Sequence, residues 1–210
     1  NSTLKIFDIS KKFSAPIVYA SSSAIYGNLP KGDDKIEKFL IQSPYAQDKL
    51  TMEHYAKMMF NIFKISSVGL RLFNVYGPGQ RFDSPYSAVI PIFIESMKKN
   101  RTIIINGGYQ TRDFIYVDDV VNIILDSMNK IQKQKNFKVL NVGTGNSISI
   151  NHLFKLIKKI LSANPRVIKR KLDTFDPKKS SGTFNKIRNF LGYKNNNFTT
   201  LKQGLVKTIY

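Results

Sequence analysis

Ser43-Pro44-Tyr45-Ala46-Gln47-Asp48-Lys49 opens a helix, and how that helix is read sets the reading of the chain on either side of it. Serine is a natural N-cap and proline a natural first helical residue, so the helix should start at Pro44 and carry Tyr45 and Lys49 on one face, one turn apart. The spacing of Met52, Ala56, Met59, Phe60 and Phe63 extends it to about Phe63, with those side chains as core or intersubunit surface. Upstream, Pro16-Ile17-Val18-Tyr19-Ala20-Ser21-Ser22-Ser23-Ala24-Ile25-Tyr26-Gly27 is a short apolar run that breaks into three hydroxyls, the pattern of a buried strand ending at a site. Downstream, Ser67-Val68-Gly69-Leu70-Arg71-Leu72-Phe73-Asn74-Val75-Tyr76-Gly77-Pro78-Gly79 repeats the plan. Strand, helix and strand make a βαβ unit, so a parallel sheet is expected. Ligands of such sheets bind beyond the carboxyl ends of the strands, where both polar runs fall.

The pairing of Tyr45 with Lys49 suits acid–base work. A phenol is a poor base near neutrality, with a reference pKa of about 10. A nearby ammonium and the partial positive charge of a helix N-terminus both stabilise a phenolate. By itself a Tyr four residues before a Lys is a common surface pair. The hydroxyls of Ser21, Ser22 and Ser23 in order before it make it a candidate centre, their plain alternative being a strand-end cap.

The 210 residues, 42% hydrophobic, can bury the core of one domain and part of another. No run of about eighteen apolar residues occurs and the start lacks a basic-then-apolar leader, which points to a soluble, cytoplasmic protein with no membrane partner. The absence of cysteine excludes disulfides and thiolate metal sites. A net charge of +19 invites nucleic-acid binding. The basic residues, however, are scattered as doublets such as Lys11-Lys12, Lys98-Lys99, Lys158-Lys159 and Lys178-Lys179, a pattern of solvated faces. The densest run, Arg166 to Lys171, has only Phe175 near it as a stacking platform. No nucleic-acid partner is expected, and a positive cleft also suits an anionic substrate.

Elsewhere the pattern predicts a helix to about Phe13, an exposed turn-rich loop over 27–34, a helix from about Val89 or Pro91 to Lys99 and a strand at 102–105. A strand follows at 112–117, then a helix opened by Asp118 with an apolar face of Val121, Ile124, Leu125 and Met128. Val139 to Val142 reads as a last parallel strand, followed by helices near 150–161, 185–191 and 201–209. His54 and His152, far apart on helices, read as surface or core residues.

Taken in order, Ser21-Ser22-Ser23 with Tyr26-Gly27, Tyr45-x-x-x-Lys49, Leu72-Phe73-Asn74-Val75-Tyr76-Gly77-Pro78, Gln110-Thr111-Arg112-Asp113-Phe114-Ile115-Tyr116-Val117-Asp118-Asp119-Val120 and Asn141-Val142-Gly143-Thr144-Gly145 resemble the extended short-chain dehydrogenase/reductases, in particular the NAD-dependent epimerase/dehydratase family. Within it the chain is most similar to UDP-glucose and UDP-N-acetylglucosamine 4-epimerases. The resemblance implies an α/β fold: the rear part of a Rossmann-type parallel sheet with a smaller mixed α/β substrate-binding lobe. Residues 1–75 and 112–145 would belong to the dinucleotide-binding domain, with 76–111 and 146–210 in the substrate lobe. It also implies NAD as cofactor, a UDP-sugar as substrate, a place in nucleotide-sugar metabolism serving polysaccharide biosynthesis, and a homodimer through the helices near 1–13 and 44–63. Family members open with a glycine-rich turn that cradles the pyrophosphate, and none precedes Ser21 here, so roughly a hundred residues are expected to be missing and the chain alone is expected to be inactive.

By the same resemblance Tyr45 is the catalytic base, and Lys49 the residue that orients it and bonds the nicotinamide ribose. Ser23 bonds the reacting sugar oxygen, with Ser22 one position away as the alternative. Ser21, Ser22, Tyr45, Lys49 and Phe73 would form the cofactor side, and Ser23, Asn74, Ile104, Asn106 and Arg112 the substrate side, with Ile104 and Asn106 toward the uracil. An Arg fork suits two phosphate oxygens, although Arg112 could instead form an ion pair with Asp113 or Asp118. The implied reaction is transient oxidation and re-reduction at the sugar C4. Two departures stand out. If Asp176 is the family's late-loop Asp, Asp173 occupies the position of a second phosphate-binding Arg, for which Lys169, Arg170, Lys171 or Lys178 could compensate. Thr183 replaces a helix-starting Asp, and Thr can cap. A 4,6-dehydratase needs an acid pair where Ala24-Ile25 stands. Other sugar-nucleotide epimerases or reductases, a noncatalytic remnant and a basic binding module remain alternatives.

Overall fold

Helix α1 (Ser2–Phe13) leads into strand β1 (Ile17–Ser22), which ends in a short 3-10 helix, Ser23–Tyr26. Helix α2 (Pro44–Phe63) starts as its sequence demands: Ser43 has extended backbone and its hydroxyl accepts from the Ala46 N–H at 3.2 Å, with Pro44 following. It stops at Lys64, a left-handed residue (φ 57°) whose N–H closes onto the carbonyls of Met59 and Phe60. Strands β2 (Ser67–Leu72) and β3 (Asn74–Tyr76), helix α3 (Val89–Lys98), strands β4 (Ile103–Asn106) and β5 (Thr111–Tyr116) and helix α4 (Val117–Gln132) follow. The remainder is β6 (Phe137–Val142), β7 (Ser147–Ser149), α5 (Ile150–Leu161), β8 (Val167–Arg170), β9 (Lys179–Ser180), α6 (Asn185–Leu191) and α7 (Leu201–Ile209). This computed structural model describes residues 2–35, 38–83, 87–174, 176–193 and 198–210; the suggested stacking residue Phe175 lies outside them.

The central sheet has the order β1-β2-β6, all parallel, in register from Ile17↔Ser67↔Phe137 to Ser22↔Leu72↔Val142. Period-two alternation sends Tyr19, Gly69 and Arg71 toward α1 and α2, where Phe7, Tyr19 and Tyr55 form edge-on ring contacts. Val68, Leu70, Leu140 and Val142 instead join Val120, Ile123 and Ile131 of α4 in the main core. A second sheet, β3-β5-β7 with β9 beside β5, and the pair β4-β8 rest on another core built from α3, α5 and α7, with Phe93, Leu153, Ile157 and Leu205 at its centre. Among the described residues no helix is long and apolar enough to cross a membrane.

Three sequence expectations are corrected. The α4 face is rotated by one residue. Val120, Ile123, Ser127 and Ile131 are buried and Ile124 packs against the core as expected, while Val121, Leu125 and Met128 are 46, 51 and 43% exposed. Both stripes are comparably apolar, and the helix leaves β5 directly at Val117, one residue earlier than Asp118, so the strand exit rather than periodicity chooses the face. The 27–34 loop is anchored rather than free: Gly32 bridges Gly182 and Asp34 is buried. Thr183 does not cap α6; its hydroxyl instead accepts from the Asp34 N–H at 3.1 Å and donates to the Asp34 carboxylate at 3.0 Å. The short strands β3, β7, β8 and β9, of two to four residues, had no periodicity to announce them.

Between α2 and the sheet lies a buried ion pair that sequence reading missed. Arg71 grips Glu53 with two bonds, Nε to Oε1 at 2.9 Å and Nη2 to Oε2 at 2.7 Å. The Ser21 hydroxyl also donates to Glu53, and Arg71 Nη1 donates to the Tyr26 hydroxyl at 2.8 Å. Burial raises the Tyr26 phenol above its ordinary value against the opposing pull of Arg71, so it stays protonated and donates to Asn141 at 2.8 Å. Removing one partner strands a buried charge. Glu53→Gln should therefore cost about 3–5 kcal/mol in urea unfolding, and Glu53→Leu with Arg71→Met should recover most of that loss. If the double variant is as unstable as the single, the pair is not what sets the cost.

Candidate active site

The carboxyl ends of β1 and β2 and the turn after β2 converge on one cleft. Of the three serines, Ser21 is buried and committed to Glu53, and Ser22 caps the 3-10 helix by accepting from the Ala24 N–H at 3.1 Å. The Ser23 hydroxyl bonds to no described residue. It faces a cavity of about 260 Å³ together with Ser22, Phe73, Asn74, Arg112 and Lys179. Asn74, Arg112 and Asp176 also line a second cavity, of about 450 Å³, that runs on past Ile104, Asn106 and Gln110. The two cavities share these three residues and so lie side by side.

Arg112 stands at the junction. Its guanidinium donates from Nη1 to the carbonyls of Thr111 (2.8 Å) and Pro177 (2.7 Å), and from Nη2 to the Asp176 carboxylate. The ion pair suggested with Asp113 or Asp118 is thus formed with Asp176 instead. Asn74 donates from Nδ2 to the Asp113 carbonyl at 2.9 Å. Phe73 is buried, edge-on to Phe184 with centroids 5.2 Å apart, so its ring is a wall rather than an open stacking surface. None of Lys169, Arg170, Lys171 or Lys178 lines the smaller cavity; Lys179 does, because β9 pairs with β5 in the register Thr111↔Lys179 and Arg112↔Ser180.

Tyr45 and Lys49 lie beside this cleft, not among the residues lining either cavity. Lys49 Nζ is 5.6 Å from the Tyr45 ring centre and donates to the Ala20 carbonyl at 2.8 Å, which fixes it at the end of β1. One of three ammonium donors is used there, leaving two for a ligand. Tyr45 is 55% exposed, and its hydroxyl bonds to no described residue. An exposed phenol beside a tethered ammonium with spare donors fits the ribose and nicotinamide end of a dinucleotide.

Asp113 supports the cleft from behind. Fully buried, it accepts from the N–H (3.0 Å) and hydroxyl (2.6 Å) of Thr144 and from the Gly145 N–H (2.8 Å), holding the turn after β6. A side chain at Gly143 would collide with Phe184 and crowd Asp113, so that turn needs glycine. Burial raises the Asp113 carboxyl above its ordinary value, and the three donors only partly offset this. The folded chain therefore holds that proton more tightly than the unfolded one.

Comparison with known proteins adds a second line of observation. The description of the NAD-dependent epimerase/dehydratase family matches residues 1–143. A protein of Methanocaldococcus jannaschii that carries the name UDP-glucose 4-epimerase provisionally is 40% identical over 163 residues, 74% of this chain and 50% of its own length. The UDP-N-acetylglucosamine 4-epimerase of Methanobrevibacter ruminantium, solved with UDP-N-acetylmuramic acid, superposes with a TM-score of 0.90 at 32% identity, covering 99% of this chain and 66% of that one. The UDP-glucuronic acid 4-epimerase of Bacillus cereus, solved with UDP-glucuronic acid and NAD, gives 0.85 at 26% identity over 99% and 64%. The chain thus spans half to two thirds of the length of these proteins.

For Asp113, the contribution to stability is fullest below the unfolded value near pH 4 and declines as pH rises through the raised folded value. The unfolding free energy of the wild type relative to Asp113→Asn should fall across that window in parallel urea titrations, and a flat difference would contradict the raised value.

Proposed function

Because the chain belongs to the NAD-dependent epimerase/dehydratase family, we propose that the protein it is part of is a UDP-hexose 4-epimerase whose substrate lies along the cleft from Ser23 to Asn106. The observation that carries this reading is the pair of cavities meeting at Asn74, Arg112 and Asp176. The smaller one presents a free hydroxyl, the junction an Arg fork, and the larger one an apolar and amide lining, the sequence of groups that sugar, diphosphate and base require. Bound NAD would supply the hydride acceptor and donor at the sugar C4. Tyr45 exchanges the proton of the 4-hydroxyl, Lys49 stabilises its phenolate, and Ser23 bonds the same sugar oxygen. Arg112 turns from Asp176 to the diphosphate, and Lys179 takes the place of the second cation that Asp173 does not provide. Residues 1–75 and 112–145 then form the dinucleotide side and 76–111 and 146–210 the substrate side.

The dehydratase alternative lacks its acid pair, since Ala24 and Ile25 occupy the 3-10 helix and Ile25 is fully buried. A homodimer is supported by the apolar side chains that α1 and α2 leave outside: Ile6, Ile9 and Phe13 are 54, 57 and 68% exposed and Ile62 62%.

Tyr45→Phe should lower UDP-hexose interconversion by the full-length protein, supplied with NAD, about 10²–10⁴-fold without unfolding it. Failure of the full-length wild type to turn over any UDP-hexose would sink the 4-epimerase reading. Ile9→Lys with Ile62→Lys should convert a dimer to a monomer in sedimentation, and an unchanged sedimentation coefficient would remove these helices from the interface.

A further inference from the structure

A cavity of about 710 Å³, larger than either cavity of the cleft, lies away from it, along the outer edge of β6. Its floor is apolar and aromatic: Phe39, Leu50, Phe137, Leu140 and Phe190. Its rim is basic: His54 and Lys57 from α2, Lys130 from α4, Lys138 from β6 and Lys186 from α6. The two described acids in the lining are both buried and bonded inward, Glu53 to Arg71 and Asp34 with Thr183. Among the described residues, then, the charge the groove offers to solvent is positive.

One side of the groove is a sheet edge. The Ser67 N–H donates to the Asn136 carbonyl and the Phe73 N–H to the Val142 carbonyl, each at 3.0 Å. With the parallel register, these bonds make Lys138, Leu140 and Val142 the residues whose backbone groups face β2. The N–H and C=O of Phe137 and Val139 therefore point outward at the cavity, and no described strand pairs with them, whereas Asn141 is fully buried and outside the lining. Four consecutive residues of β6, Phe137 to Leu140, line the cavity, as they do when a groove runs along a strand rather than over one face of it.

From these features we infer that the groove is a docking site for an extended acidic peptide of a partner protein, which adds as a strand to the edge of β6. Outward backbone groups supply the hydrogen bonds, the apolar floor takes alternate side chains, and the lysine rim selects carboxylates on the others. A second copy of this chain fits less well. Its own groove carries the same positive charge on a chain of net +19. The site does not depend on the proposed reaction, because it shares no lining residue with the cleft.

The test is selection of a displayed library of random peptides, each about eight residues long, against the chain, followed by fluorescence anisotropy of the enriched sequences. Enriched peptides should alternate apolar with acidic residues. They should bind about tenfold or more weakly to a Lys57→Glu, Lys130→Glu, Lys138→Glu variant, and similarly lose affinity when their edge-facing amides are N-methylated. UDP-hexose should not displace them. The inference is overturned if no peptide is enriched, if lysine analogues bind equally, or if N-methylation has no effect. It is equally overturned if UDP-hexose competes, or if the charge-reversed variant, folded by circular dichroism, loses only self-association.

Discussion

The rest of the structure depends on the buried contact between Glu53 and Arg71. Glu53 sits midway along α2 and Arg71 near the end of β2, so the pair ties the helix that carries Tyr45 and Lys49 to the sheet that ends at the cleft. Through Ser21 it fixes the end of β1, and through Tyr26 and Asn141 it reaches the carbonyls of Gly32 and Thr183, which belong to two distant loops. A charge pair out of water gains little net stability, because desolvation offsets most of the attraction. In this chain it sets position instead: each donor and acceptor in the network has one geometry in which it is satisfied, and that geometry brings four segments to the same end of the sheet.

The same logic operates on the other side of the cleft. Asp113 is turned away from the cavities and spends its carboxylate on Thr144 and Gly145, while its neighbour Arg112 faces them. Adjacent residues on β5 thus divide the work by pleat: one braces the turn after β6, the other presents a guanidinium. The Arg112–Asp176 ion pair keeps that guanidinium oriented by the late loop, and the β5–β9 pairing delivers Lys179 beside it. A cation that the late loop does not offer at Asp173 is offered six residues further on.

The large positive charge has more than one use in this arrangement. Scattered lysines on helices keep a strongly basic surface hydrated. Arg112 and Lys179 concentrate positive charge in the cleft, and the lysine rim beside β6 concentrates it in a second place that shares none of those residues. Neither concentration is a run in sequence.

What the sequence determined by itself was whatever depends on neighbours in the chain. Ser43 and Pro44 start α2, the strand-helix-strand order dictates a parallel unit, and the starts of α2, α5 and α7 follow from local caps at Ser43, Ser149 and Thr200. The hydroxyls after β1 nominated a cleft because ligands gather beyond the carboxyl ends of strands, Tyr45 and Lys49 were nominated by their helical spacing behind those hydroxyls, and the roles of Asn74 and Arg112 came from the family resemblance. Only the tertiary structure decided which serine stays free, which face of α4 turns inward and which acid pairs with Arg112. It also decided that Lys179 rather than Lys178 meets the cavity. Nothing in the sequence singles out Glu53 or Arg71. Their partnership spans 18 residues and exists only because α2 packs across β2, and burial, which makes such a contact obligatory, is a property of the packed chain and not of any stretch of it.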